Sequence, residues 1–407
     1  MFSPEKLNGK LQLRRTEFLL KNLNKFRVQN VMLLCSLYDY YTVEEDGMLE
    51  DILGTTHSVG DSGKAPVITQ VSDATTALEI LKDKSGTLFE LIICMSTGEN
   101  ISFREFTEKA LEIQPSLAVT VLTHNREELR KINGKNPGMI PYRLFNWMGT
   151  GEIIQGIIQL TEDARNARHD CGEENAPCVL LVEDDVLFYS KYLHQGMGEI
   201  HLKSRLVLER MTSQTMRKLK SKARTKLLLA VNMEEAEYIL EHFSNSLVGV
   251  ITDMRFHHRG AHDKKAGVNL IDKIRGKNQG IPIVLQTSEH DGAAIAETMN
   301  VGYISKHSTT LMSDFSNMLV DFLDFGDLHF EDSTGKRIRR VSGVRELGIA
   351  LDKLPARSIH LCWASGRMSR WLKIQTELEL AEEMDECNLE NCTSEEVKYA
   401  LLNAFRS

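Results

Sequence analysis

Glu183 with Asp184, then Asp253, Thr287 and Lys306 stand at the ends of short apolar runs in one half of the chain. The runs are CVLLV (178–182), LVGVIT (247–252), IPIVLQT (281–287) and VGYIS (301–305). Three carboxylates brought to one crevice repel one another unless a cation lies among them. A hard, oxygen-seeking ion such as Mg²⁺ suits such a place, because it accepts carboxylates, a carbonyl, waters and a phosphoryl oxygen. The Thr287 hydroxyl can bond a phosphoryl oxygen and the Lys306 ammonium can balance the added charge. Asp253 is then the expected nucleophile. In-line transfer to it from a phosphohistidine or a small acyl phosphate would be helped mainly by positioning and charge neutralisation. Taken singly, an acidic pair after a strand is more often a helix cap or a solvated loop, and a lone Thr or Lys at a strand end usually carries no chemistry. The joint order of the five carries the expectation.

The elements that must position these residues follow from the alternation of apolar runs with amphipathic segments. With TKLLLAV (225–231) the second half has five such runs, the pattern of a parallel sheet covered by helices on both faces. Ligands of such a sheet bind beyond the carboxyl ends of the strands, where the strand order reverses. The first half repeats the pattern with VMLL (31–34), APVITQV (65–71), FELIICM (89–95) and AVTVL (118–122), so the chain reads as an internal duplication. In this first copy Cys35 and Ser36 replace the acidic pair, Met95 falls where the nucleophile should be, Trp147 stands near the lysine position, and only Thr123 survives. It is expected to hold neither Mg²⁺ nor a phosphoryl group, and to serve in docking or dimerisation rather than as a separate ligand sensor. The 69 positions from Asp184 to Asp253 exceed the roughly 45 to 55 that two helices and two strands of ordinary length need. An insertion is therefore expected at 201–224, as a lengthened or extra helix that is either a dimer contact or an ornament.

The bulk properties fit an ordinary globular protein. The 407 residues suggest two or three domains at roughly 100–200 residues each. Hydrophobic content of 42% and charged content of 26% are near the average for globular chains. No apolar run approaches the ~18 residues of a membrane span, and the amino terminus lacks a signal-peptide core, so a cytoplasmic location is expected and no membrane partner. Seven scattered cysteines without a CxxC pair read as reduced thiols. A net charge of −8 argues against nucleic acid as the main partner, and no helix-turn-helix pattern follows residue 325. The basic cluster Arg217, Lys218, Lys220, Lys222, Arg224 and Lys226 reads as a solvated helix face, and the polar stretch 161–177 as a helix end followed by a linker. The expected organisation is a helical leader (1–28), a degenerate unit (29–165), an intact unit (177–324) and a small α+β extension (325–407). The extension would open with a hairpin around Ser333 to Gly335, followed by helices at 344–354 and about 369–384. Trp363, Trp371, His360 and Arg367 read as its core packing.

The segments LLVEDD, VITDMRF, VLQTS and GYISK resemble the receiver domain of bacterial response regulators. The resemblance implies two flavodoxin-like folds in tandem, the first degenerate and the second intact, with Asp253 as phosphoacceptor. It places Asp184 as the direct metal ligand, Glu183 at the second acidic position, the Arg255 carbonyl as a further ligand, and Tyr303 as the aromatic switch that moves with Thr287. The signal would leave through the face formed by the fourth helix, fifth strand and fifth helix. His257 and His307 depart from the pattern, where proline is common. LYDYYTVEEDG, FGDLHFEDSTGK and SRWLKIQTELELAE are similar to the tandem-receiver region of bacterial proteins related to phosphoenolpyruvate synthase. There, nucleotide- and phosphoenolpyruvate-binding domains commonly follow, and this chain, cut or free-standing, ends near where they would begin. The implied partners are a sensor histidine kinase or phosphotransfer protein, a phosphoenolpyruvate synthase-like enzyme and a second copy of the chain. A non-phosphorylated scaffold is the alternative. A Mg²⁺-dependent Asp phosphohydrolase is disfavoured, because such enzymes usually carry a second acid two residues after the nucleophile, where this chain has Arg255.

Overall fold

The computed structural model describes residues 20–45, 65–83, 85–98, 101–124, 129, 141–149, 151–386 and 392–406. Most of the expected leader lies outside them. Two five-stranded parallel sheets, each flanked by helices, form a doubly wound α/β architecture. The first contains β1 (Asn30–Leu34), β2 (Val67–Val71), β3 (Leu91–Cys94), β4 (Ala118–Thr123) and β5 (Arg143–Asn146), in the order β2-β1-β3-β4-β5. The second contains β6 (Cys178–Val182), β7 (Lys226–Ala230), β8 (Leu247–Asp253), β11 (Ile283–Thr287) and β12 (Gly302–Ser305), in the order β12-β11-β8-β6-β7. Read from the other edge, the second sheet repeats the strand order of the first. Both therefore reverse between their first and third strands, which places a crevice beyond β6 and β8. Burial on both faces explains the continuous apolar runs: all five residues of β6 and of β11 are buried. The short strand β5 was not among the runs picked out by hydropathy.

The insertion takes both expected forms. The helix after β6 runs for 24 residues, Val186–Glu209, and a second, Gln214–Lys220, follows it. Rather than standing free, Leu219 and Ala223 pack against Leu20, Leu23 and Leu378. The long helix lies against the first unit: Tyr189 donates its hydroxyl to the Leu144 carbonyl, and Ser190 Oγ accepts the Asn146 N–H at 3.0 Å. One apolar core runs continuously from the first sheet through this helix into the second.

The stretch 161–177 holds the expected helix end and connection, residues 161–170 closing the helix Glu152–Asp170 and 171–177 leading to β6, but it is not a solvated surface: Glu162, Asp163, Asn166 and Asp170 are buried. The basic cluster is not wholly solvated either. Arg224 grips Asp163 through two bonds of 3.0 and 2.6 Å, and Lys220 lies 2.5 Å from Glu377. Lys226, fully buried, is 2.8 Å from Asp170, an ion pair without hydrogen-bond geometry. The chain thus satisfies acids of this helix with bases some sixty residues later, as buried charge demands.

Beyond the second unit, β13 (Leu328–Glu331) and β14 (Arg337–Val341) form the expected antiparallel hairpin. Among the described residues five helices follow rather than two: Val344–Lys353, Ala356–Ala364, Arg367–Ile374, Leu378–Glu386 and Ser394–Arg406. The expected helix over 369–384 is broken by Thr376, which sits at φ 63°. Trp371 is fully buried in this small core and donates its indole N–H to the Gly326 carbonyl at 3.1 Å. Among the described residues no helix is long and apolar enough to cross a membrane.

Candidate phosphoryl and metal site

The crevice at the carboxyl ends of β6, β8, β11 and β12 collects the five residues expected there. Glu183 and Asp184 follow β6; Asp185 turns away to cap the long helix, its carboxylate accepting the Leu187 N–H at 2.8 Å. Asp253 closes β8 and is 8% exposed, while Glu183 is fully buried. Carboxylate oxygens of Glu183, Asp184 and Asp253 lie within 4.8 Å of one another. Lys306, just after β12, spans two of them, 2.7 Å from Glu183 Oε2 and 2.8 Å from Asp253 Oδ2. Its ammonium also lies over the Phe188 ring, 4.6 Å from the centroid.

Charge and burial oppose each other in this site. Burial raises the Glu183 and Asp253 carboxyls above their usual range, although Lys306 pulls both down. Burial works against the Lys306 ammonium too, but the attraction of the two acids outweighs it and holds its pKa above the ordinary lysine value. Three carboxylates against one lysine leave negative charge in excess. A divalent cation fits this imbalance, and the oxygen-only donors suit a hard ion.

Thr287 ends β11 with its hydroxyl turned to Met254 Sδ at 3.6 Å, and its Oγ1 accepts the Glu289 N–H at 3.1 Å. Tyr303 lies beside it. Both side chains close on Gly292, where an added Cβ would meet Thr287 Cγ2 at 2.3 Å and Tyr303 Cε2 at 3.0 Å. Arg255 sends its guanidinium to Glu289 at 2.7 Å. No family model, curated protein or solved structure matches the chain.

Three contributors escaped sequence reading. Gln286 Nε2 donates to Glu183 Oε2 at 2.9 Å, and the Asp185 N–H bonds the other oxygen at 3.1 Å, so this buried carboxylate is held from two sides. A hairpin follows Asp253, with β9 (Phe256–His258) paired to β10 (Ala261–Asp263) around Arg259 and Gly260, both at positive φ. It brings His257 Nδ1 to 2.7 Å from Asp184 Oδ2. The paired pattern FHH-RG-AHD was its readable signal. The third contributor is Gly267, at the start of the helix Ala266–Lys277: a Cβ there would lie 2.2 Å from the Asp253 carbonyl oxygen. Gly267→Ala is expected to push the Asp253–Met254 backbone off the crevice, costing about 1–3 kcal/mol of stability and weakening the binding of any divalent cation held by the three acids. Urea denaturation and calorimetric titration with divalent cations would show both losses together; a variant whose cation binding equals that of wild type would remove Gly267 from the site.

Proposed function

We propose that residues 177–324 form a flavodoxin-like receiver domain of the two-component type, in which Asp253 accepts a phosphoryl group in a Mg²⁺-dependent reaction. The observation that carries this reading is the Lys306 ammonium seated between Glu183 and Asp253 at the carboxyl end of the sheet. Glu183, Asp184, Asp253 and the Arg255 carbonyl would hold the ion. Bound there, Mg²⁺ would neutralise carboxylate charge and orient the phosphoryl oxygens. An Asp253 oxygen forms the new bond to phosphorus while the P–N bond of a phosphohistidine, or the P–O bond of an acyl phosphate, breaks and the leaving group keeps the electron pair. The Met254 N–H, 2.7 Å from Asp253 Oδ1, steadies the nucleophile. Lys306 balances the arriving charge, and Thr287 turns its hydroxyl from Met254 to a phosphoryl oxygen. Tyr303, packed against the same glycine, would sense that turn and pass it to the surface around the fourth helix, fifth strand and fifth helix. The donor would be a sensor histidine kinase, a phosphotransfer protein or a small phosphodonor. The output would be a partner protein or a phosphoenolpyruvate synthase-like enzyme. With Arg255 paired to Glu289 where a hydrolase would carry its second acid, signalling is better supported than hydrolysis.

Incubation of the wild-type protein with acetyl phosphate, with and without Mg²⁺, tests the proposal by intact mass. A gain of one phosphoryl group that requires Mg²⁺ is expected. No gain, together with no Mg²⁺ binding by calorimetry, would overturn it and leave a non-phosphorylated scaffold.

A further inference from the structure

The degenerate first unit has lost the acids of its crevice but keeps a cavity where its fourth and fifth strands end. About 570 Å³ of space remains there in a half-open cleft, bordered by Asp39, His124, Asn146 and Trp147 from this unit and by Leu187 and Lys191 from the helix Val186–Glu209 of the other. That volume lies within the roughly 300–1,000 Å³ of small-molecule sites, which favour domain interfaces. The carboxyl end of an open parallel sheet is also where ligands of this architecture sit.

We propose that this cavity binds a nucleoside monophosphate. Its wall offers one group for each part of such a molecule. Trp147, set edge to face with His124 at 6.1 Å between ring centroids, supplies an aromatic surface for a base. The Asn146 backbone N–H is committed to Ser190 Oγ at 3.0 Å, while its side-chain amide has no hydrogen-bond partner among the described residues and can read a base edge. The Asp39 carboxylate takes the Ser36 hydroxyl on Oδ2 at 2.7 Å, which leaves Oδ1 to accept from a ribose diol. Lys191 forms no ion pair among the described residues, although the chain carries more acids than bases. A lone, half-buried ammonium facing a cavity suits a phosphate group. Leu187 and Lys191 belong to the first turns of the helix that Asp185 caps, and Phe188 between them supports Lys306. A nucleotide in the cavity therefore touches the same helix as the Asp253 site, which gives the two a physical route for coupling.

The full chain would be titrated separately with AMP, GMP, CMP and UMP, and with adenosine and inorganic phosphate as fragment probes, by calorimetry and tryptophan emission. Wild type, Lys191→Ala, Trp147→Leu and Asp253→Asn would be compared. One mononucleotide is expected to saturate a single site per chain at micromolar concentration, far more tightly than either fragment. Lys191→Ala should weaken it at least tenfold, roughly one charge-assisted contact, with an unchanged melting curve, and Trp147→Leu should abolish the emission change. Asp253→Asn should bind like wild type, so the result is independent of the phosphoacceptor proposal. No saturation by any of the four at millimolar concentration in the folded protein would overturn the site, as would tight binding that survives both Lys191→Ala and Trp147→Leu.

Discussion

Asp253→Asn should eliminate the entire phosphoryl gain expected of wild type with acetyl phosphate and Mg²⁺, while leaving the metal-free protein folded and close to wild type in stability. The amide has no anionic oxygen with which to form the acyl phosphate, so the loss is complete rather than graded. The fold should tolerate the change because the amide oxygen can keep the Met254 N–H, and Lys306 stays paired with Glu183 at 2.7 Å. The stability effect is expected within about 1 kcal/mol, with a sign that depends on pH. Burial raises the Asp253 carboxyl in the folded state, so the folded protein holds its proton more tightly than the unfolded chain does. Wild-type stability from this group is therefore present below the ordinary carboxylate range and is lost as pH rises through the unfolded and then the folded pKa. Asparagine carries no such slope. The variant should gain on wild type as pH rises above the carboxylate range, and added Mg²⁺ should reverse the order by stabilising wild type alone. Intact mass, and melting curves in chelator and in Mg²⁺, read these effects. Phosphorylation that persists in the variant would move the acceptor away from Asp253.

The site was legible because a parallel sheet converts chain order into spatial convergence. Glu183, Asp184, Asp253 and Thr287 follow or close fully buried strands, which announce themselves as apolar runs rich in Val, Ile and Leu, and Lys306 follows the half-buried edge strand β12. The duplication was legible for the same reason, down to a shared strand order. What stayed hidden depends on partners distant in sequence. The acids at 162, 163 and 170 look like a solvated helix end and linker until Arg27, Arg224 and Lys226 are seen beside them; Arg27, for example, lies 3.3 Å from Glu162. Hydropathy scores a buried ion pair as surface, so the burial of the helix's acids and of the basic cluster was missed together. His257 was noticed only as a departure from proline. Its bond to Asp184 needed the hairpin, three residues on each strand, too short for periodicity to report. Gly267 gave no signal at all, since a glycine kept for close backbone approach looks like any other in one sequence.

Lys306→Met tests whether the lysine is a structural counter-ion as well as the phosphoryl partner proposed for it. In the metal-free protein the substitution leaves Glu183, fully buried, and Asp253 with no cation in contact; methionine can still pack on Phe188, so lost packing is a minor part of the change. Removing one member of a buried ion pair typically costs about 3–5 kcal/mol. The cost should depend on pH in a defined direction. Both carboxyls already sit above their usual range through burial, and without the Lys306 attraction they rise further. They can then escape the penalty by binding protons. Lysine itself stays charged in folded and unfolded states throughout the carboxylate range, because its pKa here is raised, so it contributes no slope there. The deficit of the variant should be largest near pH 8 and shrink toward about pH 5 as the two acids protonate in the folded state. Lys306→Arg keeps the charge and should recover much of the stability, yet not the phosphoryl transfer, since a planar guanidinium cannot occupy the place of an ammonium held between two oxygens. Urea transitions in chelator at both pH values, for wild type and the two variants, decide the matter. A deficit of the same size at both pH values would mean that lost packing, not unpaired carboxylate charge, is what the lysine prevents.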